Sequence, residues 1–274
     1  GMGFAGRALH ARVMVTLTQG VERVDFALNA DWDAFNHRLR VAMPTPFKGK
    51  HWYEIPYGVL ERQPYDPTFG WAGANGDWPA INWAGVEGED MSVALFNKGL
   101  PSYRIEADGE QGSVILLSVL RSPAIPTYLH EPEFYTMTDW DGMRDAGTHR
   151  FAYAVTAYPG PLRESDVVLD ATSYNAGLLA VAGDLRLPEA PEVQSAVARL
   201  AALKWAERGK ALILRLHEFR GKGGPVEVNL PPATKQVAKV NMLERQAETL
   251  AIEDRRVRLT MRPWEIATLR LALS

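Results

Sequence analysis

No cysteine occurs among the 274 residues. That absence excludes disulfides, thiolate metal sites and cysteine nucleophiles together. A disulfide-free chain suits a reducing cytoplasm, which is the compartment expected here. Positive charge is not in surplus either: 30 Lys and Arg stand against 33 Asp and Glu, a formal charge of -3. The basic footprint of a nucleic-acid binder is therefore missing. No apolar run reaches membrane-spanning length. The opening Gly1-Met2-Gly3-Phe4-Ala5-Gly6 lacks the basic-then-apolar layout of a signal peptide. Histidine is sparse, six in all, and scattered. No His-x-Asp or His-x-x-x-His pair occurs, and the glycine between Asp145 and His149, four apart, argues for a loop rather than a helix face, so nothing in the spacing points to a metal site. There is no Gly-x-Ser-x-Gly elbow for a serine nucleophile. Residues 70–76 are glycine-rich but lack the Lys-Ser/Thr and helix of a phosphate loop.

What is present reads as sheet. The chain is 46% hydrophobic and 23% charged, enough for a sizeable core in one large domain or two smaller ones. Residues 11–18 and 21–30 flank the turn Gln19-Gly20 and alternate apolar with polar, the pattern of a hairpin with one wet face. Residues 37–44 alternate as well, and 51–62 are strand-like with an aromatic-Gly kink. Residues 63–77 are rich in Pro, Gly, Asn and Asp and predict a long loop. Strands resume at 78–84, 91–97, 103–107 and 114–120.

The stretch from Val114 to Tyr158 concentrates chemistry. Its first strand ends on Arg121, and Ser122-Pro123 stops it, since proline cannot donate to a ladder. An acidic, aromatic loop follows to Arg144. Asp145-Ala146-Gly147-Thr148-His149 then leads into the strand 151–158. Arg121, Asp139, Asp141, Asp145 and His149 thus sit at strand ends, where binding groups gather on a rigid sheet. Three readings stand side by side. The Asp and Gly residues make turns that His149 caps. Arg121 and Asp145 form an internal salt bridge. Or carboxylates among Glu131, Glu133, Asp139, Asp141 and Asp145 serve as a glycosidase acid and base.

Beyond Tyr158 the texture changes. Residues 165–181 are mixed, and Pro188-Glu189-Ala190-Pro191-Glu192 reads as a linker, so a boundary is expected near Leu187, between domains 1–187 and 188–274. Residues 193–204 suit a helix by alanine content or a strand by position. Strands follow at 211–218, 225–230, 236–240, 256–261 and 266–273, with Gly221-Lys222-Gly223-Gly224 as a flexible hairpin tip. Strands at short spacing with no helix between them predict an all-β protein of stacked antiparallel sheets.

The order of landmarks resembles the C-terminal β region of glycoside hydrolase family 38, the retaining α-mannosidases. It is carried by Asp31-Trp32 with His37-x-Leu39-x-Val41 and Met43-Pro44, then by Glu54-Ile55-Pro56-Tyr57-Gly58-Val59-x-Glu61-Arg62 and Val93-Ala94-Leu95-Phe96-Asn97. Leu120-Arg121-Ser122-Pro123 and Asp145-x-Gly147-x-His149-x-Phe151-x-Tyr153 continue it. Leu212 to Glu218, Asn241-Met242-Leu243-Glu244 and Arg262-Pro263-Trp264-Glu265 complete it. The resemblance implies a large antiparallel β-supersandwich of the galactose mutarotase-like kind, then a small C-terminal β-sandwich. In that family the zinc ligands and the aspartate nucleophile lie in an N-terminal α/β domain and a helical bundle, and no stretch here is similar to either. The chain thus looks like the C-terminal part of an α-mannosidase, inactive by itself, with no cofactor of its own and zinc expected in the missing catalytic domain. The resemblance makes Arg121, Asp145 and His149, with Tyr57 behind them, the edge of the sugar pocket. The expected partner is an α-mannoside held together with that domain, with no nucleic acid and no membrane. A severed interface would leave an apolar patch that a homodimer could cover. The alternative is a stand-alone carbohydrate-binding module with Trp71, Trp78 or Trp83 as an aromatic platform.

Overall fold

The computed structural model describes residues 9–34, 37–63, 76–110, 112–122, 145–177, 180–183 and 189–274. The chain divides into two compact units, Gly1–Gly177 and Leu178–Ser274. Among the described residues no helix is long and apolar enough to cross a membrane.

Unit one holds β1 (Leu9–Leu17), β2 (Val24–Trp32), β3 (His37–Thr45), β4 (Lys50–Ile55), β5 (Gly58–Arg62), β6 (Trp78–Pro79), β7 (Trp83–Glu87), β8 (Met91–Asn97), β9 (Ser102–Asp108), β10 (Gly112–Ser122), β11 (Gly147–Pro159) and the helix α1 (Val167–Asn175). Seven strands form one sheet in the order β1-β2-β11-β8-β7-β4-β5, and four form a second, β3-β10-β9-β6. Every pairing is antiparallel. The two sheets face each other across one core. Leu28, Tyr53, Val86, Leu95 and Tyr153 come from the larger sheet, and Tyr103, Ile105, Ile115 and Leu117 from the smaller. This is the sandwich that alternating strands predict: each buries its apolar face and leaves the other wet.

α1 lies in the stretch whose sequence looked mixed. Val167, Val168 and Ala171 are buried on one side of it, the spacing of a helix that needs only one apolar face. Ser165 Oγ accepts the Val167 N–H at 3.2 Å at its start. At its end the Asn175 amide donates to the Asn97 carbonyl at 2.9 Å, tying the helix to β8.

Unit two holds β12 (Glu192–Gln194), β13 (Ala198–Trp205), β14 (Ala211–Glu218), β15 (Gly224–Asn229), β16 (Thr234–Val240), β17 (Glu248–Leu250), β18 (Arg256–Met261) and β19 (Ile266–Leu273). A five-stranded sheet, β13-β14-β19-β16-β17, packs on a three-stranded one, β12-β15-β18. Leu214, Leu216, Leu269 and Leu271 meet Val226, Val228 and Val257 in its core. The alanine-rich stretch after Glu192 is strand: pairing of β13 along β14 overrides its helix propensity. The glycine tip is pinned rather than loose. The fully buried Glu218 carboxylate accepts the backbone N–H of Arg220 at 3.0 Å, Gly221 at 2.9 Å, Lys222 at 3.3 Å and Trp264 at 2.7 Å. Gly223 turns through φ 68°, where a Cβ would meet the Met261 carbonyl at 2.8 Å, so only glycine fits.

Candidate functional site

The outer face of the four-stranded sheet carries a cluster of charged side chains, the candidate site. Leu39, Val41 and Met43 of β3 turn inward, so by strand alternation Arg38 and Arg40 face out. On β9, Tyr103 and Ile105 are buried, which turns Arg104 and Glu106 out on the same face. All three arginines converge on one carboxylate, Asp77, which stands just before β6 with its side chain only 9% exposed. Arg38 Nη1 pairs with Asp77 Oδ2. Arg40 Nη2 donates to both Asp77 oxygens, at 2.8 and 2.9 Å. Arg104 Nε lies 3.5 Å from Asp77 Oδ1, and its Nη1 donates to Glu106 at 2.8 Å. Burial draws the Arg40 guanidinium below its ordinary pKa, against the pull of Asp77 and with repulsion from Arg38 and Arg104.

Arg121 joins this face through an irregularity in β10. Ser113, Ile115, Leu117 and Val119 are buried in strict alternation, and on that count Arg121 would point into the core. The register to β3 slips between Ser118 and Leu120, so Val119 and Leu120 are both buried and the phase reverses. A β-bulge inserts one extra residue and re-aims the side chains after it. Arg121 is therefore exposed and lies directly across from Arg38.

Arg121 and Asp145 line one recess of about 530 Å³ together with Arg38, Asp77, Ser102 and Ser118. Among the described residues no ion pair joins Arg121 to Asp145, so the expected salt bridge is not what holds this edge. Asp145 sits exposed in a left-handed backbone conformation, φ 49°. His149, two residues into β11, is held by Asp145, but through the main chain: its Nε2 lies 2.6 Å from the Asp145 carbonyl. The ring stacks on Phe151 at 5.9 Å. Nearby, Thr148 Oγ1 donates to Asp31 at 2.7 Å. Trp32 Nε1 donates to Ser122 Oγ at 2.6 Å, which fastens the end of β2 to the end of β10.

Tyr57 stands apart. It occupies the second place of the two-residue turn between β4 and β5, with φ 58° and 54% exposure. The registers put this turn at the same end of the larger sheet as the start of β11. It is three strands across, ~14 Å at the usual strand spacing, and β11 begins several residues beyond the level of the turn, so the separation is larger still. The structure thus brings Arg121 and Asp145 together and puts His149 beside Asp145, but it does not bring Tyr57 to them. Asp139, Asp141, Glu131, Glu133 and Trp71 lie outside the described residues. Trp83 is fully buried and offers no platform. The Trp78 ring is partly exposed, and Arg62 covers it at 4.6 Å. Sequence reasoning passed over Arg38, Arg40, Arg104 and Asp77. The alternation Arg38-Leu39-Arg40 was the available signal, a cationic wet face on a strand; Asp77 gave none, since it ends a stretch that reads as turn.

Comparison with known proteins bears on the whole chain. Residues 7–128 match the glycosyl hydrolases family 38 C-terminal domain, and residues 198–269 match the family 38 C-terminal beta sandwich domain. Alpha-mannosidase 2C1 of Mus musculus is 28% identical over 269 residues, 94% of this chain and 24% of the mouse protein. Alpha-mannosidase G of Dictyostelium discoideum is 26% identical over 261 residues, 90% of this chain and 22% of that protein. The chain thus spans about a quarter of the length of these curated relatives. The crystal structure of an alpha-mannosidase from Enterococcus faecalis superposes with a TM-score of 0.73 at 21% identity, over 95% of this chain and 28% of that one. With both C-terminal modules matched in order and the fold shared, the chain belongs to glycoside hydrolase family 38, as its C-terminal β region.

Proposed function

We propose that this chain is the supporting, non-nucleophilic part of an α-mannosidase, acting on α-mannosides together with a catalytic part that it helps to close. The observation that carries the reading is the succession of the two family modules along a chain about a quarter as long as its α-mannosidase relatives. The convergence of Arg121 and Asp145 on one recess, with His149 adjacent, supports a role at the rim of a sugar pocket. In that role Arg121 donates to sugar hydroxyls or orients a carboxylate with both arms of its guanidinium. His149, oriented by the Asp145 carbonyl, meets a further hydroxyl. Tyr57 closes the opposite side.

Zinc belongs, on this reading, to the catalytic part. Among the described residues no three His, Asp or Glu side chains converge to hold a metal ion. The compartment we propose is the cytoplasm, consistent with a sequence free of cysteine.

The test is a pair of assays on a synthetic aryl α-mannoside with added zinc. The chain alone should give no turnover. A chimaera in which it replaces the corresponding region of the Enterococcus faecalis α-mannosidase should turn over, and Arg121→Ala in that chimaera should lower kcat/KM about tenfold, as loss of one charged hydrogen bond predicts. Robust hydrolysis by the chain alone would overturn the reading. So would a chimaera indifferent to substitution of Arg121, Asp145, His149 and Tyr57.

A further inference from the structure

The recess between β3 and β10 holds more donors than the chain itself uses. Arg38 and Arg121 stand directly opposite each other on neighbouring strands. Like charges in that relation repel, and sheets ordinarily avoid them. Arg38 has one arm on Asp77, which fixes its direction. Arg40 and Arg104 crowd the same carboxylate from behind, so the negative charge of Asp77 is shared among three guanidiniums. Arg121 has no hydrogen-bond or ion-pair partner among the described residues. Ser118, on the same face and in the same recess, has a buried hydroxyl that likewise makes no hydrogen bond. A buried hydroxyl without a partner is costly unless something else supplies one. Two opposed guanidiniums and a buried hydroxyl share the lining of this recess of about 530 Å³ with the carboxylates Asp77, already engaged by arginines, and Asp145, and they form a donor set that an oxyanion would satisfy.

We infer that this recess binds a small oxyanion, the phosphate or carboxylate group of an organic molecule, between Arg38 and Arg121 with Ser118 as the third donor. The arginines rather than lysines suit this ligand, because a guanidinium meets two oxygens of one anion at once. The bulge at Val119 is the device that makes the site, since it alone sets Arg121 opposite Arg38. The inference does not rest on the α-mannosidase reading. If that reading holds, the anion would be a substituent of the substrate beyond its mannose ring.

The experiment is isothermal titration of the 274-residue chain with inorganic phosphate, and separately with acetate, chloride keeping ionic strength constant. Saturable binding of one phosphate per chain is expected. Arg121→Ala should weaken it about tenfold or more, and Ser118→Ala a few-fold. Arg12→Ala, on an exposed strand elsewhere, should leave it unchanged. Phosphate much tighter than acetate would identify a phosphate monoester as the ligand class; similar affinities would identify a carboxylate. No saturable binding of either anion by the unaltered chain, or binding unchanged in Arg121→Ala with circular dichroism intact, would overturn the inference. Because the chain is tested without a catalytic part, these outcomes are separate from those of the mannoside assay.

Discussion

Asp77 and Glu218 are both carboxylates drawn almost wholly out of solvent, one in each unit, and their neighbours differ in kind. Glu218 is met by four backbone N–H groups, which are dipoles and carry no net charge. Asp77 is met by three arginine side chains, which bring positive charge to spare. Amide donors satisfy a carboxylate and end the matter, pinning a turn and a strand end in place. Guanidinium donors carry charge of their own to the surface beside them. The first arrangement is architecture; the second leaves capacity for a ligand.

The comparison predicts an order of effects. Glu218→Ala should cost most, about 3 kcal/mol, because it strands several buried N–H groups at once. Urea unfolding of unit two would measure it, and Glu218→Gln, which keeps one acceptor, should cost less. If Glu218→Ala were neutral, the turn would not depend on the carboxylate. Asp77→Asn should cost about 1–2 kcal/mol in unit one, since its arginines are partly solvated and water replaces part of what is lost. A larger loss than for Glu218→Ala would reverse the assignment of roles.

Acid should separate the units next. Burial holds the His51 pKa below its ordinary 6.5, so the folded state favours the neutral ring. Its contribution is complete above pH 6.5 and is lost as the pH falls from there toward the lowered value. In unit two the Glu265 pKa is lowered below 4.5. Burial pushes it up, but the Arg262 N–H and Lys239 outweigh that push. Its contribution is intact above 4.5 and is lost only on falling through the lower, folded value. Protection factors along β4, corrected for the intrinsic pH dependence of exchange, should therefore fall as the pH drops below about 6.5 while those of β16 hold. An equal fall in both would remove the distinction.

Smallest of all, Arg121→Ala should change the stability of unit one by less than about 0.5 kcal/mol. An exposed cation opposite another gives nothing to the fold. A clear destabilisation, read by urea unfolding, would make Arg121 structural and bring it to the side of Glu218.

Much of this was legible in the sequence. Period-two alternation gave the sheets of both units, because each strand buries one face and wets the other. Arg121 and Asp145 were found as strand-end charges, and the structure sets them around one recess. What alternation does not show is a bulge. Counting from Ile115, Leu117 and Val119 sends Arg121 into the core, and only the pairing with β3 shows the reversal. Charge alone allows an Arg121–Asp145 salt bridge; the backbone instead gives the Asp145 carbonyl, not its carboxylate, to His149. α1 is not legible because its buried side is only Val167, Val168 and Ala171, and the apolar Leu169 stands exposed out of phase with it. The pinning of Gly221 by Glu218 was invisible for another reason. A carboxylate at a strand end looks the same whether it faces water or four amides.

Among the described residues β1 pairs with β2 alone, and every residue of it is exposed, with Met14 at 61%, Val15 at 58% and Leu17 at 76%. An open ladder with greasy side chains on both surfaces is a template on which another extended chain can settle. Crowding in concentrated samples should therefore act here first, and a lysine at position 13 or 15 is the simplest way to keep neighbouring copies apart.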